Sequence, residues 1–381
     1  PEVVFNGRKR DPMISFEQSE EQRMIRDTIV AFAADEIRPA ARAADESGEI
    51  PPGLIAKVWE LGLVRGAIPE QFGGYGDARS AVTGAIVAEE LACGDLAVAI
   101  HALAPRLVAF PVLEFGTAIQ RTLFLKNYAG DNFTPAAAAM MEPRFDFELS
   151  ALDTVAKPQG GGFVLDGAKC CVPLAAESDS ILVFATTTRE AALGGVDGFI
   201  VQRGTAGLVI GEREQNMGLK GLATYQVKLE NCGVGGEARL GGDKGINFTR
   251  IVSESRVASA ALAVGVARAA FEYARDYAKE RRAFGVPIAT KQAIAFMLAE
   301  MAIEIDATRL LVWEAAAALD RGEDALMESY QARNYAAQSS LMVTDNAVQI
   351  LGGHGYIREH PVEMFLRNAR AFGMLEGIAT V

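Results

Sequence analysis

The C-terminal end of the chain carries the residues whose types and spacing could do chemistry. A helical run, Thr344 to Leu351, ends at Gly352-Gly353, and Glu376 follows a second helical run in a small-residue setting. Glycines just after a helix allow positive φ and let the backbone approach a flat or phosphorylated ligand closely. A carboxylate beside such a ligand can serve as a general base. The alternative from these residues alone is an ordinary helix cap and a solvated glutamate.

Length and charge limit the classes of protein that need to be considered. A chain of 381 residues exceeds one typical hydrophobic core, so two or three packed subdomains are expected. The net charge is 37 − 49 = −12, which disfavours nucleic acid or an anionic membrane as the main partner. No signal peptide or membrane-spanning run is visible in the sequence. Residues 1–12 resemble an extension or an expression remnant, because Met13 looks like a natural start.

The cysteines and histidines predict no metal site. Cys93, Cys170, Cys171 and Cys232 lack metal-ligand spacing, and an adjacent pair rarely forms a disulfide with itself. The three histidines are too scattered along the chain to form a cluster. A reducing, cytoplasmic location is therefore the default expectation.

Residues 13–131 are predicted to form an N-terminal helical domain. Ser19-Glu-Glu-Gln22 has capping-box spacing, and apolar residues recur after it at helical intervals. The glycine-rich segment 68–76 follows a helix rather than a strand and lacks the lysine of a phosphate loop. An interhelical turn is the favoured interpretation of this segment.

Residues 132–242 are predicted to form a β domain, a sandwich or a barrel. Short apolar runs bounded by turn residues occur at 162–165, 181–185, 198–201, 208–210 and 225–229. Asp166-Gly167 predicts a tight hairpin turn. No Gly-x-Gly-x-x-Gly follows a strand, so a nicotinamide-binding Rossmann enzyme is disfavoured.

Residues 243–381 return to helical periodicity, with Ile294, Met297, Met301 and Ile305 marking one buried face. The predicted fold class is therefore α+β: an N-terminal all-helical domain, a middle β domain and a C-terminal four-helix bundle.

Several longer motifs resemble the acyl-CoA dehydrogenase family of flavoproteins. The C-terminal ones are Gln349-Ile-Leu-Gly-Gly-His-Gly-Tyr356, Leu366-Arg-Asn-Ala-Arg370 and Leu375-Glu-Gly377. Glu280-Arg-Arg-Ala-Phe-Gly-Val-Pro-Ile288, followed by Gln292, is similar to another family motif. The similarity runs from about Phe16 onward, in the family's motif order and with its three-domain architecture.

The resemblance implies a reaction and the residues that carry it. A carboxylate removes the α-proton of an acyl-CoA thioester while the flavin N5 of FAD accepts a hydride from Cβ. Glu376 is implied as the base, with its own backbone N–H as one donor to the thioester oxygen. Ser253 and Arg256 are implied to contact the substrate. Some family members carry the base where this chain has Ser255, and Glu254 is one helical step away from that position.

The resemblance also assigns residues to the cofactor and implies partners. Cofactor-binding residues implied in this way are Arg281, Phe284, Gln292, Gln349, Gly352, Gly353, Met141, Cys171 and Pro173. Several of these reach the FAD of a neighbouring subunit in the family, which implies a homo-oligomer, a dimer of dimers. An electron-transfer flavoprotein is the implied electron acceptor.

Three departures from the family pattern surround the expected flavin ring. The family's small loop after Glu142-Pro143 is replaced by Arg144, Phe145 and Phe147. Cys171 stands in place of an aromatic ring, Pro173 in place of a hydroxyl near N5, and Ile378 in place of a threonine. Three hypotheses follow: an FAD-dependent acyl-CoA dehydrogenase, a non-catalytic structural or CoA-binding subunit with little flavin, or a family flavoprotein with altered thioester chemistry.

Overall fold

The chain folds in the predicted order of a helical, a β and a second helical region. The structure is a computed structural model that describes residues 17–381. Helices occupy the first part of the chain, strands occupy the middle, and long helices follow from Phe248 onward. This confirms the predicted fold class. The proposed extension at residues 1–12 lies outside the described residues.

Among the described residues, which begin at position 17, seven α-helices form the first region. Their bounds are α1 Glu20–Phe32, α2 Arg38–Ser47, α3 Pro52–Glu60, α4 Ala81–Gly94, α5 Leu96–Leu103, α6 Arg106–Phe115 and α7 Ala118–Phe124. The capping box at the start of α1 forms as predicted: the Ser19 hydroxyl accepts from the Gln22 N–H at 3.1 Å, and the Gln22 side chain accepts from the Ser19 N–H at 3.0 Å. The glycine-rich segment 68–76 contains a short 3₁₀ turn and no strand, in keeping with an interhelical connection.

The middle region is a seven-stranded sheet. Its strands are β1 Ala137–Ala139, β2 Val155–Gln159, β3 Gly162–Pro173, β4 Ser180–Thr186, β5 Val196–Gln202, β6 Leu208–Arg213 and β7 Thr224–Gly235. They are ordered β1-β4-β2-β3-β7-β6, with β5 also paired to β4. All five apolar runs that predicted strands lie within these strands. The alternation of β7 between buried and exposed residues shows that one face of this strand is covered.

The predicted hairpin turn at Asp166-Gly167 is wrong. Both residues lie inside β3, and the hairpin between β2 and β3 turns instead at Gly160-Gly161, where φ is +58° and +83°. Gly167 sits at an irregularity in the pairing of β3 with β7. A Cβ at Gly167 would lie 2.5 Å from the Thr154 hydroxyl, so this glycine permits close backbone approach rather than a turn.

Long helices dominate the third region. Their bounds are α8 Phe248–Glu280, α9 Gln292–Asp320, α10 Leu326–Leu351, α11 Gly353–Tyr356 and α12 Val362–Ala369. A small hairpin, β8 Arg282–Ala283 and β9 Val286–Pro287, joins α8 to α9. A buried network joins the first and third regions: Arg268 of α8 donates to Glu89 and Glu90 of α4, and Arg309 of α9 donates to Glu89 as well.

Within residues 17–381, two helical stretches are long and apolar enough to cross a membrane by length and composition alone. They span Leu96–Phe115 and Phe248–Glu280. In the structure, 89% and 78% of the most apolar 18-residue segment of each stretch is buried inside the protein. Their apolar surface is therefore used in the protein core, where α8 packs against α4 and α10.

Candidate functional site

Glu376 lies on a short loop after α12, and Gly377 fixes the conformation of this loop. The Glu376 loop (residues 374–378) has buried neighbours on both sides, Leu375 and Ile378. Gly377 adopts φ +71°, and a Cβ there would lie 2.6 Å from Cβ of Met140 in the β region. Only glycine fits both the backbone conformation and this close approach. The backbone N–H of Glu376 donates to Sδ of Met141 at 3.1 Å.

Two arginines face the Glu376 carboxylate. Oε1 of Glu376 lies 3.0 Å from Nε of Arg333 on α10 and 3.7 Å from Nε of Arg256 on α8. Arg333 also donates to the Leu375 carbonyl at 3.2 Å, so it holds the Glu376 loop at two points. The guanidinium of Arg256 stacks on the half-exposed ring of Tyr330, 5.3 Å from its centroid. The Glu376 side chain is 11% exposed and therefore does not face bulk solvent.

Ser253 and Ser255 of α8 differ in whether their hydroxyl groups have a hydrogen-bond partner. Ser253 is completely buried, and its hydroxyl donates to the Thr249 carbonyl at 3.0 Å. The donor of that hydroxyl is therefore used within its own helix, and the role of Ser253 in substrate binding stays a prediction. Ser255 is also buried, and its hydroxyl has no hydrogen-bond partner among the described residues.

Glu254 belongs to a different cluster of charges. It is buried and forms ion pairs with Arg79, which precedes α4, and with Arg250 at 3.2 Å. Both arginines also pair with Glu114 of α6, at 3.2 Å and 2.5 Å. Burial raises the pKa of Glu254 to about 7; Arg79 and Arg250 oppose the shift and Glu114 adds to it. Glu254 is thus engaged away from Glu376, as expected from its one-step offset on the helix.

We expect Glu254→Gln to flatten the dependence of protein stability on pH. The folded pKa of about 7 exceeds the ordinary value of 4.5, so the folded chain binds this proton more tightly. The stability that Glu254 contributes is therefore fully present below pH 4.5 and is lost as pH rises through about 7. A shift of this size corresponds to about 3 kcal/mol. Urea unfolding at pH 5, 6, 7 and 8 should show a smaller fall in free energy for the variant, whereas parallel curves would contradict the assignment.

A buried ion pair anchors the segment that contacts the Glu376 loop. Lys169 of β3 is fully buried, and its Nζ donates to Oε1 of Glu142 and to the Met140 carbonyl, each at 3.1 Å. Glu142 also accepts from the backbone N–H groups of Asp153 and Thr154, at 2.7 and 2.8 Å. Burial lowers the pKa of Lys169 to about 8, although Glu142 opposes this shift. The pKa of Glu142 is lowered, because the effect of burial is outweighed by Lys169 and by the N–H groups of Asp153 and Thr154.

Cys171 and Pro173, the two positions of β3 that depart from the family pattern, have an unusual backbone conformation and no backbone N–H, respectively. Cys171 adopts φ +52°, and its backbone N–H donates to both carboxylate oxygens of Glu214, at 3.2 and 3.1 Å. A hydrogen bond between the thiols of Cys170 and Cys171 lowers the pKa of Cys170 and raises that of Cys171. Pro173 is buried and has no N–H to offer. These positions provide neither an aromatic ring nor a hydroxyl for a flavin.

The two phenylalanines of the loop after Glu142 have different surroundings, one in solvent and one in the core. Phe145 is completely exposed, whereas Phe147 packs against a hydrophobic cluster formed by the first helical region and the sheet. Arg144 lies over the Glu142 end of the buried pair, with Nε 3.5 Å from the carboxylate. Phe145 therefore does not fill a cavity, and Phe147 has its packing partners in that cluster.

Six of the residues assigned to the cofactor lie at the ends of the long helices and are exposed; they are called the outer residues below. Arg281 follows α8, Phe284 forms the β8–β9 turn, Gln292 begins α9, and Gln349 and Gly352-Gly353 lie at the end of α10. All of them are exposed, Phe284 by 95% at φ +53°. Arg281 also lines a cavity of about 510 Å³, but three carboxylates share its lining, so this cavity itself does not suit a phosphate; its other lining residues are Arg38, Glu272, Tyr273, Asp276, Tyr277, Glu280 and His360. An exposed ring, a guanidinium and a glycine pair fit a bulky planar and phosphorylated group.

The structure brings together Glu376, Arg256 and Met141, which the family resemblance assigned to the base, the substrate and the cofactor, and adds Arg333. Arg333 lies on α10, 376 − 333 = 43 positions before Glu376. No local pattern links the two residues, so only the packing of α10 against the Glu376 loop reveals the contact. Glu214, which holds the Cys171 N–H, was missed for the same reason.

Family models match the chain in three consecutive segments. Residues 19–131 match the acyl-CoA dehydrogenase N-terminal domain, residues 137–232 its middle domain, and residues 245–381 its C-terminal domain.

Individual relatives are similar over nearly their whole length. An acyl-CoA dehydrogenase of Bacillus subtilis (strain 168) is 35% identical, covering 94% of this chain and 95% of the relative. A 3-(aryl)acrylate reductase of Clostridium sporogenes (strain ATCC 15579) is also 35% identical, covering 95% and 96%. Among solved structures, butyryl-CoA dehydrogenase from Megasphaera elsdenii superimposes with a TM-score of 0.86 at 30% identity, covering 96% of each chain.

Proposed function

Because the chain belongs to the acyl-CoA dehydrogenase family, we propose that it removes two hydrogens from Cα and Cβ of an acyl-CoA thioester with FAD as cofactor. The observation that carries this proposal is the setting of Glu376. Its carboxylate is largely enclosed, and its loop is fixed by Gly377 against Met140 and by Arg333. A base that is held in one position and shielded from bulk solvent is what abstraction of a weakly acidic α-proton requires.

Each group of the Glu376 residue has a role in the proposed reaction. The carboxylate takes the α-proton of the thioester. The backbone N–H donates to the thioester oxygen and stabilises the charge that develops there. In the structure this N–H donates to the thioether of Met141, which is a weak acceptor. A carbonyl oxygen is a better acceptor, so substrate binding exchanges a weak hydrogen bond for a stronger one.

The outer residues are proposed to hold the cofactor. Arg281 binds a phosphate, Phe284 packs on a ring, and the backbone at Gly352-Gly353 allows close approach, with Gln292 and Gln349 as polar contacts. FAD, when bound, supplies the acceptor for the hydride that leaves Cβ. Met141, Cys171 and Pro173 line the inner part, where a thioether, a thiol and a proline ring offer packing in place of hydrogen bonds.

The exposure of the outer residues supports an assembly of several copies. A site that faces outward at Phe284 and Gly353 becomes enclosed when a second copy covers it. We therefore include a homo-oligomer in the proposal, with an electron-transfer flavoprotein as the electron acceptor and the cytoplasm as the location.

A non-catalytic subunit is the second candidate function. It is favoured by the replacements at Cys171 and Pro173 and by the Cys171 N–H, which is already occupied by Glu214. A chain of this kind would bind CoA or a homologous subunit without retaining flavin.

The visible absorbance of the purified protein distinguishes the two candidates. The dehydrogenase proposal expects a yellow protein whose flavin bands are bleached anaerobically by at least one acyl-CoA in a series of increasing chain length. A colourless protein that takes up no added FAD overturns it. In that case, association with a homologous subunit, measured by light scattering, supports the second candidate.

A further inference from the structure

We propose that Cys170 and Cys171 are a redox-modification site, which a hydroperoxide oxidises to a disulfide between the two adjacent residues and a thiol reduces again. The proposed dehydrogenation uses Cys171 only for packing, so this chemistry goes beyond it. The placement of the two side chains is unusual for a strand. Successive side chains of a regular strand point to opposite faces of the sheet, yet the thiols of Cys170 and Cys171 are hydrogen-bonded to each other.

Strand β3 contains a bulge at the two cysteines. Its pairing with β7 shifts register between Lys169 and Val172, so β3 has one residue more than β7 over this stretch. Cys171 lies within the bulge at φ +52°, a left-handed conformation that is uncommon for residues other than glycine. A bulge turns a side chain away from its regular direction. It therefore explains why two neighbouring thiols of this strand are in contact.

Hydrogen bonds from the backbone fix both residues. The N–H of Cys170 donates to the Met141 carbonyl at 3.0 Å, and the N–H of Cys171 donates to the Glu214 carboxylate at 3.2 and 3.1 Å. Because backbone groups make these bonds, they remain when either thiol is replaced. Met141 also accepts, through its thioether, from the N–H of Glu376. The thiol pair therefore lies at the inner part of the candidate site.

Cys170 is the more reactive thiol of the pair. Oxidation by a peroxide requires a thiolate that the oxidant can reach. The hydrogen bond with the Cys171 thiol lowers the pKa of Cys170; burial opposes this shift and Lys169 adds to it. The same hydrogen bond raises the pKa of Cys171, and burial raises it further. Both side chains are half-buried, so a small hydroperoxide can reach them, whereas Cys93 and Cys232 are buried.

The oxidation has two steps. The Cys170 thiolate attacks one oxygen of the hydroperoxide: an S–O bond forms, the O–O bond breaks, and the departing oxygen takes up the proton that Cys170 released and leaves as an alcohol, or as water from hydrogen peroxide. The sulfur of Cys171 then attacks the sulfenic acid of Cys170: an S–S bond forms, the S–O bond breaks, and hydroxide leaves as water with the Cys171 proton. The two thiols together lose two electrons and two protons, which the hydroperoxide gains.

The disulfide is expected to be reduced easily. The Cα atoms of adjacent residues are about 3.8 Å apart across a trans peptide, whereas Cα atoms joined by a disulfide are usually at least about 4.4 Å apart. Strained disulfides have more oxidising potentials and are readily cleaved by thiols. When thiols are in excess, the pair therefore stays reduced until a hydroperoxide is present. The disulfide is thus a reversible modification rather than a structural crosslink.

Peptide mapping of the purified full-length protein tests the proposal. The reduced protein is treated with a small excess of hydrogen peroxide, denatured, alkylated with N-ethylmaleimide and cut with trypsin. Cleavage after Lys169 and Arg189 places Cys170 and Cys171 in one peptide, residues 170–189, without another cysteine. We expect this peptide to be recovered without alkylation and lighter by two hydrogens, whereas the peptides of the two buried cysteines are alkylated. Dithiothreitol added before alkylation should restore two alkyl groups on the peptide.

Three serine variants assign the steps. Cys171→Ser should leave Cys170 as a sulfenic acid that dimedone traps, because the second thiol is missing. The reaction of Cys171 in Cys170→Ser should be at least about tenfold slower than that of Cys170 in Cys171→Ser. The reason is that burial and the Glu214 carboxylate still favour the protonated thiol of Cys171. Cys232→Ser, which replaces a buried cysteine of β7, is the matched control and should leave disulfide formation unchanged.

Two outcomes in the unaltered protein overturn the proposal. The first is a peptide 170–189 that carries two alkyl groups or a sulfinic acid after peroxide treatment, because the two thiols then do not react with each other. The second is a disulfide from Cys170 or Cys171 to a different cysteine or to a second copy of the chain, recovered as a pair of linked peptides. Neither measurement needs flavin or an acyl-CoA. A failure here therefore leaves the proposed dehydrogenation intact, and a colourless protein that takes up no FAD leaves this proposal intact.

Discussion

Replacing Glu376 by glutamine is expected to slow flavin bleaching by an acyl-CoA by about 10³-fold or more while the flavin stays bound. Positioned general bases contribute about 10²- to 10⁴-fold, and glutamine keeps the shape of the side chain without its ability to take a proton. The glutamine side chain still fits beside Arg256 and Arg333, so the loop held by Gly377 should remain in place. Anaerobic stopped-flow absorbance with a saturating acyl-CoA measures the rate directly.

Glu254→Gln is the control for this experiment. Glu254 lies one helical step from the position where some family members carry their base, yet it is buried among Arg79, Arg250 and Glu114. Its replacement should leave the bleaching rate within about tenfold, since the group does not face Glu376. If Glu376→Gln bleaches the flavin as fast as the unaltered protein and Glu254→Gln does not bleach it, the base is Glu254 on α8 and not Glu376.

Replacing Lys169 by methionine should be the most destabilising single change at the site. Removing one partner of a buried ion pair leaves the other charge uncompensated and costs about 3–5 kcal/mol. Here Glu142 would keep its two backbone donors but lose the buried ammonium, and the Met140 carbonyl would lose its donor. Because Met140 contacts Gly377, flavin bleaching should weaken as well. Guanidinium unfolding at pH 7 measures the loss of stability.

Two further variants separate the ion pair from simple packing. Lys157→Met replaces an exposed lysine on β2 and should change stability by no more than about 0.5 kcal/mol. The double variant Lys169→Met with Glu142→Gln should recover part of the lost stability, because the unpaired charge is gone. If the double variant is as unstable as the sum of the two single variants, the pair is not coupled as described.

The sequence was sufficient where structure depends on neighbouring residues. The capping box at Ser19 and the helix that ends at Gly352 form as predicted, because each is set by contacts within a few positions. The five apolar runs also form strands as predicted, because their composition favours strands, although their pairing partners are distant in sequence. The placement of Glu376 next to Arg256 followed from the family resemblance, since no periodicity relates those two positions.

The failures share a physical cause. Asp166-Gly167 has the composition of a turn, but pairing of β3 with both β2 and β7 outweighs local turn preference and uses the glycine for close packing against Thr154. Arg333 could not be predicted because its contact with Glu376 exists only once α10 has packed beside the loop.

The fit of Gly377 against Met140 has a consequence for how this protein can be divided. The base belongs to the C-terminal helical region, but its placement is set by a methionine from the strand region and by the lysine beneath that methionine. An excised helical bundle would keep the glutamate and lose the surface that aims it. A shift of the strand region relative to the C-terminal helices would move the Glu376 carboxyl group relative to Met140 by a comparable amount. The proposed reaction therefore depends on how these two regions pack together as well as on the glutamate itself.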